Sequence, residues 1–228
     1  MSDAEPLKKN VRCDVLFLSW AAYTNNALAI KIVNWIASKL VILGVAGQKA
    51  EFRIYIDDLA KSLIRKSDND ILEMKWHASK NELFSTHKVY DKNWAVKHAI
   101  DVPFEDYASA GTKRMLELSV ALSKSLTEAS VIVIDDFDLH LHPQLVRYLI
   151  AIFNSVEHNP QNAQLICTTH DVLLMDEDIR RDQIWFVDKD EYGASHLCAL
   201  SDFKDVRKNS NLLKQYLLGV YRAIPKLS

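Results

Sequence analysis

Three aspartates in four residues follow a short apolar run in the middle of the chain. Residues 131–134 are four consecutive β-branched residues, which predict a strand buried on both faces. Asp135, Asp136 and Asp138 come directly after it, and Pro143 stands where a helix would start. Ligands of open α/β sheets bind at the carboxyl ends of strands. Carboxylates there stabilise the fold little but can hold a cation, so Asp135 is a candidate magnesium ligand and Asp136 a candidate for orienting or deprotonating an attacking water.

A second polar group follows the next apolar run along the chain. Residues 163–169 predict a strand that runs into Thr168-Thr169-His170-Asp171. Because parallel strands end at the same edge of a sheet, His170 would reach the ligand that the aspartates hold and would sense a γ-phosphate. The alternative is a histidine that is satisfied within the core or a loop. The residues alone leave both open.

A third group opens a long amphipathic pattern. It reads S-A-G-T-K-R over residues 109–114, and either Ser109 or Thr112 can cap the helix. A helix N-terminus offers free backbone N–H groups and a partial positive charge. Gly111 would let that backbone approach a ligand closely, and Lys113 and Arg114 add charge. This segment predicts a contact with an anion or a γ-phosphate, with an ordinary helix cap and two surface bases as the alternative.

The same region also contains the ligand types of a metal hydrolase. His140-x-His142 could combine with Asp138, Asp135 and His170. That site requires residues 138–142 to be extended, so that both histidines lie on one face. The proline and the helix start that follow predict a loop instead, which disfavours this alternative.

Composition excludes several other classes of protein. The chain has 228 residues, 49% hydrophobic, and a net charge of -2, so it has no overall basic signature for nucleic acid. Three cysteines without a C-x-x-C pattern suit a reducing compartment, and neither a signal peptide nor a membrane span is indicated. We therefore expect a cytoplasmic protein. None of the five glycines is followed by lysine, so a phosphate-binding loop of the form G-x-x-x-x-G-K-[ST] is absent from this sequence.

The chain divides into three predicted segments: a loose leader at 1–12, an α+β arm at 13–103 and an α/β unit at 104–228. In the arm the patterns predict a strand over 13–18, helices over 26–41 and 52–66, and hairpin strands over 71–76, 83–90 and 95–102. The remainder predicts helices over 112–128, 143–157 and 204–218, and strands over 130–135, 163–169, 183–188 and 195–200. Strands that alternate with helices indicate a parallel sheet with crossover helices.

Taken in order, these motifs resemble the C-terminal half of ABC-type ATPases, the class of the Rad50/SMC-like proteins. More narrowly, they are similar to bacterial AAA15/AAA21-type ATPases of anti-phage and restriction-linked operons. The resemblance rests on S-A-G-T-K-R, D-D-F-D, L-H-P and A-Q-L-I-C-T-T-H-D, and on the tail segments R-R-D-Q-I-W-F-V-D-K and Y-L-L-G-V-Y-R-A-I-P. It is close over about residues 104–225 and looser back to residue 13. It implies a partial ABC-type P-loop NTPase fold that lacks the Walker A strand.

The resemblance also implies a role for each motif. The signature loop, which contacts the γ-phosphate of ATP on an opposing subunit, would comprise Ser109, Gly111 and Thr112, with Lys113 and Arg114 behind them. Asp135 would be the Walker B ligand of Mg²⁺, Asp136 would stand in place of the catalytic glutamate, Asp138 would lie in the D-loop, and His170 would be the switch histidine. ATP and Mg²⁺ are the implied cofactors.

Two departures from the family pattern shape the functional expectation. The Walker A half is missing from the sequence, and Asp136 is one methylene shorter than glutamate. We expect a half-module that is inactive alone and that forms a homodimer or heterodimer with a chain supplying Walker A, beside an effector such as a nuclease or toxin. The alternative is a non-catalytic regulatory or decoy partner of a full-length ATPase. Nothing in the sequence supports a nucleic-acid partner.

Overall fold

The computed structural model describes residues 25–43, 56–176, 179–203, 211–221 and 223–224. Its elements are α1 (Ala27–Lys39), β1 (Leu40–Leu43), α2 (Asp58–Ser67), β2 (Ile71–His77), β3 (Glu82–Tyr90), β4 (Val96–Pro103), α3 (Phe104–Tyr107), α4 (Ala110–Glu128), β5 (Val131–Ile134), α5 (Pro143–Asn154), β6 (Gln164–Cys167), β7 (Trp185–Lys189), β8 (Ser195–Ala199) and α6 (Leu212–Leu217), with short 3-10 helices at Val172–Asp176, Arg181–Gln183 and Leu200–Asp202. The predicted leader, the strand over 13–18 and parts of the helices over 52–66 and 204–218 lie outside the described residues.

The central sheet has three parallel strands in the order β1-β5-β6. Residues that are partners in the strand register form rows across the sheet. One row is Leu43, Ile134 and Cys167, and the row two residues earlier in each strand is Val41, Ile132 and Leu165. Both rows pack into the main hydrophobic core with α4 and α5. The parallel sheet was predicted, but β1 was not, because its residues lie within or next to the stretch that predicted a helix over 26–41.

Helix α1 begins where the sequence indicates and ends two residues earlier than predicted. Asn26 is its N-cap, with the side-chain oxygen accepting a hydrogen bond from the N–H of Ala29 at 3.0 Å. The helix ends at Lys39 because the next residues pair with β5. Among the described residues this helix packs little: Ala29 is its one buried residue there. Its large apolar side chains at 28, 32, 35 and 36 are exposed.

Helix α4 is the longest described helix and is central to the core. It begins at the Ser109 cap and ends where Ala129 adopts a left-handed conformation, φ 52°. Helix α2 packs along it, and Asp57, the N-cap of α2, also accepts a hydrogen bond from the hydroxyl of Ser123. Core residues from both sides of the predicted boundary at 103, such as Ile64 and Met115, belong to one cluster.

Two further sheets are antiparallel and separate from the parallel sheet. Strands β2, β3 and β4 form the predicted hairpin sheet of the arm. Strands β7 and β8 pair with each other. The expectation that the strand over 183–188 continues the parallel sheet is therefore wrong; the hairpin has its own small core, which includes Phe186, Leu200 and Tyr221. No helix in the described ranges is both long and apolar enough to cross a membrane.

The two faces of the parallel sheet differ strongly in burial. On the core face, Ile132 and Ile134 are fully buried, at 0% exposure. On the other face, Ile42 is 60% exposed and Ile166 is 56% exposed, although the register places both beside the half-buried Val133. Among the described residues, the prediction that the central strand is buried on both faces thus holds for one face only. This second face is called the open face below.

Candidate functional site

The carboxyl ends of β5 and β6 bring the predicted acids and hydroxyls together. The backbone N–H of Asp135 bonds to the carbonyl of Leu43 at 3.0 Å, which extends the strand pairing by one residue. The hydroxyl of Thr168 donates to Oδ1 of Asp135 at 2.5 Å. The same hydroxyl accepts the N–H of Asp136 at 2.9 Å. Thr168 therefore fixes the start of the segment 135–140, called the acidic turn below.

Asp136 and His170 face each other at this edge. The Nε2 atom of His170 lies 3.8 Å from Oδ1 of Asp136. The imidazole is 92% exposed and the aspartate side chain 36% exposed, so the pair is open to solvent and contributes little to stability. Asp136 has a φ of 48°, a left-handed conformation that aspartate adopts more readily than most L-residues. The structure thus places His170 beside the second acid after the neighbouring strand, while its predicted contact with a γ-phosphate stays a prediction.

Asp138 also turns towards the end of β6. Its Oδ1 atom accepts the backbone N–H of His170 at 3.1 Å. The N–H of Phe137 bonds to the carbonyl of Thr168 at 2.9 Å, and the Phe137 side chain is fully buried. These bonds tie the acidic turn to the loop after β6. The mutual placement of Asp136 and His170 is thus fixed by the backbone as well as by side chains.

The start of α4 lies against the acidic turn. Ser109 accepts the N–H of Thr112 at 3.1 Å, and the two hydroxyls lie 2.8 Å apart. A Cβ atom at Gly111 would come within 2.8 Å of the carbonyl oxygen of His140. Glycine is therefore required here by a contact inside the chain. Ser109 is exposed, whereas Thr112 is buried, so Ser109 is the hydroxyl of this segment that a ligand could reach.

The two bases that follow the cap point to different places. Lys113 is half-buried, and its Nζ atom lies 3.6 Å from Oε1 of Glu105, an exposed acid. Arg114 is buried, with 8% exposure. Its Nη2 atom donates to the carbonyl oxygens of Asp135 at 3.3 Å and Asp136 at 3.2 Å. The structure therefore places Arg114 beneath the acidic turn, on the side away from solvent.

The strand ends suit a magnesium ion that is completed by other ligands. Asp135 is exposed, and one of its carboxylate oxygens is oriented by Thr168. Magnesium in phosphate-handling sites is commonly held by one or two carboxylates, with waters and substrate phosphates supplying the rest. Asp135 fits that role, and it would supply an oxygen ligand.

The metal-hydrolase alternative gains no support. Among the described residues no group of three His, Cys, Asp or Glu side chains comes close enough to hold a metal ion. The Nδ1 atom of His142 accepts the N–H of Gln144 at 3.2 Å and so caps α5. His140 is exposed and has a φ of 62°, so the segment between the two histidines is a turn.

Sequence reasoning singled out His170 and passed over Thr168 as a site residue. Thr168 is the residue that holds both Asp135 and Asp136. The available signal was its position: a hydroxyl directly after an apolar strand, next to a strand that is followed by acids. The inward direction of Arg114 had no such signal, because helical spacing alone does not distinguish a base that faces solvent from one that reaches under a loop.

A family model described as "AAA domain, putative AbiEii toxin, Type IV TA system" matches residues 48–176. The match covers more than half of the chain and includes the start of α4, the acidic turn and His170. No curated protein matches the chain. The mixed α/β architecture with a three-stranded parallel sheet is compatible with a P-loop NTPase-like fold.

Proposed function

The chain belongs to this family of AAA domains, and we propose that it supplies half of an ATPase site. In this proposal Asp135 is the Walker B ligand of Mg²⁺, Asp136 orients the attacking water, and His170 senses the γ-phosphate. The observation that carries it is the convergence of β5 and β6 at one edge, with Nε2 of His170 at 3.8 Å from Oδ1 of Asp136. AAA-type ATPases use ATP and Mg²⁺, and the exposed, oriented carboxylate of Asp135 suits that ion.

The start of α4 is the second part of the proposed site. Ser109, with the free N–H groups of the helix N-terminus, would contact the γ-phosphate of a nucleotide that is bound to another subunit. Ser109 is exposed, and Lys113 adds a positive charge one turn along. Gly111 and Asp138 contribute by shaping the turn on which these groups stand.

The phosphate-binding loop comes from another polypeptide in this proposal. The 228 residues contain no Walker A motif. Within the described residues, β6 pairs with β5 alone. The backbone N–H groups of Gln164 and Thr168 point towards β5. The backbone groups of Leu165 and Cys167 therefore point to the opposite side of β6, where no described strand lies. A parallel strand that precedes a phosphate-binding loop could pair there. Its helix could then cover the open face.

Mixing experiments test this proposal. Each Walker A-containing member of the family from the source organism is purified, and ATP hydrolysis is measured alone and after mixing with this chain. We expect one mixture to hydrolyse ATP faster than the sum of its parts, and we expect Asp135→Ala in this chain to remove the gain. Asp106→Ala, at an exposed acid outside the site, is the matched control. A gain that survives Asp135→Ala, or no gain in any mixture, contradicts the proposal.

A regulatory or decoy role is the second candidate, and Asp136 is the residue that favours it. Its side chain is one methylene shorter than glutamate, and a misplacement of about 1 Å at a water-positioning group can cost about 10²-fold in rate. In this case the chain binds a full-length relative and lowers its rate of hydrolysis. The Asp136→Glu variant separates the two roles: it raises the rate of an inhibited mixture if the shorter acid is what disables the site.

A further inference from the structure

Arg114 is a buried cation at the junction of α4 and the acidic turn. It is 8% exposed, and its guanidinium donates to two consecutive carbonyl groups, those of Asp135 at 3.3 Å and Asp136 at 3.2 Å. Its Nη1 atom lies 3.3 Å from Oε2 of Glu117, one turn along the helix. Burying a charge is costly unless it is paired and hydrogen-bonded. These contacts are what make the position tolerable.

Stability alone explains this placement poorly. The Nε atom of Arg114 is buried and has no hydrogen-bond partner among the described residues. An apolar side chain of similar size at a buried position is often as stabilising as a buried ion pair. The guanidinium has a distinct property: in one rigid plane its Nη2 atom donates to both carbonyls while Nη1 faces Glu117. Here the two acceptors are the backbone carbonyls of Asp135 and Asp136, which flank the backbone nitrogen and the α-carbon of Asp136.

The carbonyl of Asp136 is the acceptor that defines the acidic turn. It also accepts the N–H of Leu139 at 3.1 Å, so Arg114 bonds to the oxygen that closes this turn. Asp136 is held in a left-handed conformation, φ 48°, which most L-residues avoid and aspartate adopts more readily. Thr168 holds the N–H side of Asp136, and Arg114 holds its carbonyl side. Together they fix where the carboxylate points.

A second contact joins the same two segments. One turn before Arg114, Gly111 lies so close to the carbonyl of His140 that a Cβ atom there would approach it to 2.8 Å. The first two turns of α4 therefore contact the acidic turn at both of its ends. Among the described side chains of α4, Arg114 is the one that donates hydrogen bonds to the backbone of Asp135 and Asp136.

We propose that Arg114 is a positioning residue that sets the backbone of the acidic turn, and with it the carboxylate of Asp136. The resemblance implies a nucleotide contact for Arg114; we propose the positioning role in its place. The catalytic meaning of the role rests on the proposed function, but the structural claim does not. Any displacement of the start of α4 would pass to Asp136 through this side chain.

Nuclear magnetic resonance of three variants tests the proposal without nucleotide. In Arg114→Met we expect the carbonyl carbon signals of Asp135 and Asp136 to shift and the amide of Leu139 to exchange about tenfold faster, because the turn loses hydrogen bonds of about 1 kcal/mol each. Signals of the β2–β3–β4 sheet should stay unchanged. Glu117→Gln is the matched control: it weakens the ion pair but keeps both carbonyl bonds, so the acidic turn should remain as in the wild type.

Arg114→Lys keeps the test informative if the methionine variant does not fold. Lysine keeps the charge and one donor nitrogen but not the rigid guanidinium plane, so we expect smaller shifts of the two carbonyl signals than in Arg114→Met and a smaller rise in the exchange of Leu139. The proposal is overturned if Arg114→Met or Arg114→Lys lowers thermal stability while the signals and exchange at 135–139 stay as in the wild type. It is also overturned if Glu117→Gln produces the same changes. Neither result depends on whether the chain takes part in ATP hydrolysis.

Discussion

Within the described residues, the two faces of the parallel sheet differ in how completely they are covered. On the core face, Ile132 and Ile134 are fully buried against α4 and α5. On the open face, Ile42 and Ile166 remain more than half exposed in the same three strands. Parallel sheets in proteins are normally covered on both faces. The difference teaches that the described structure is one layer short of a complete α/β unit.

The carboxyl ends of the same strands show a similar contrast between groups that are present and a motif that is missing. They present an acid that suits Mg²⁺, a second acid, and a histidine, each held by backbone or hydroxyl bonds. The 228 residues contain no Walker A motif for the phosphates that these groups would serve in the proposed site. The proposed half-site predicts that the open face and the set of carboxylates belong together, and the following predictions probe that relation.

The largest expected effect comes from truncating one isoleucine on each face. Ile134→Ala removes a fully buried side chain and should lower the free energy of unfolding by about 2–5 kcal/mol. Ile166→Ala, one strand away on the open face, should lower it by less than about 1 kcal/mol. Urea denaturation of both variants measures the difference. Equal losses would show that the open face is covered in the isolated chain.

The second prediction concerns Cys167, which follows Ile166 in β6 and points to the core face. Its thiol should make the stability of the chain depend on alkaline pH. Burial raises the pKa of the Cys167 thiol to about 11, from 9.0. Because the unfolded thiol ionises first, the unfolded state loses its proton between about pH 9 and 11 while the folded state keeps it. Stability should therefore fall across that range, by up to about 2.7 kcal/mol.

The measurement is urea denaturation at pH 8, 9.5 and 10.5, with Cys167→Ala as the matched variant. The alanine variant should lack this part of the pH dependence. If both proteins lose stability in parallel, ionisation of the Cys167 thiol is not the cause of the loss.

Gly111→Ala extends the contrast to the strand ends. The new methyl group would meet the carbonyl of His140 at 2.8 Å, and a backbone atom cannot move away cheaply. We expect a loss of about 1–3 kcal/mol and a displaced acidic turn. Ala110→Ser, at the exposed neighbouring position, is the control and should change stability by less than about 0.5 kcal/mol. Thermal denaturation compares the two, and similar values would contradict the close approach.

The smallest effect concerns the cap of α4. Ser109→Ala removes the side chain that accepts the N–H of Thr112 and should cost about 1 kcal/mol. Ser109→Asp should keep most of that stability, because aspartate caps helices equally well and its charge suits a helix N-terminus. Chemical denaturation distinguishes them. If Ser109→Ala is as stable as the aspartate variant, the cap contributes nothing.

Strong local patterns made much of the fold predictable. The hairpin strands of the arm, α4, β5, α5 and β6 all lie where periodicity and caps predict them, within a few residues. The error at β1 has a physical cause: its four apolar residues continue the apolar pattern of α1, and only pairing with β5 makes them a strand. Strand β7 was assigned to the wrong sheet because a short apolar strand carries no signal for its partner.

The site was predictable in part for a similar reason. Acids follow one apolar strand and a histidine follows the next. Because parallel strands end at the same edge of a sheet, this pattern predicts that the side chains lie close together there. The direction of Arg114 and the bridging role of Thr168 depend on contacts between residues far apart in the chain. Such contacts follow from the folded packing and leave no trace in local spacing.

Titration of the purified chain with Mg²⁺-ATP by calorimetry tests the central claim most directly. If the chain provides only half of a nucleotide site, no saturable heat should appear up to millimolar ATP, and Asp135→Ala should give the same trace as the wild type. Binding with a micromolar Kd that Asp135→Ala abolishes would contradict the account, because it would show that these residues hold a nucleotide without a phosphate-binding loop from another polypeptide.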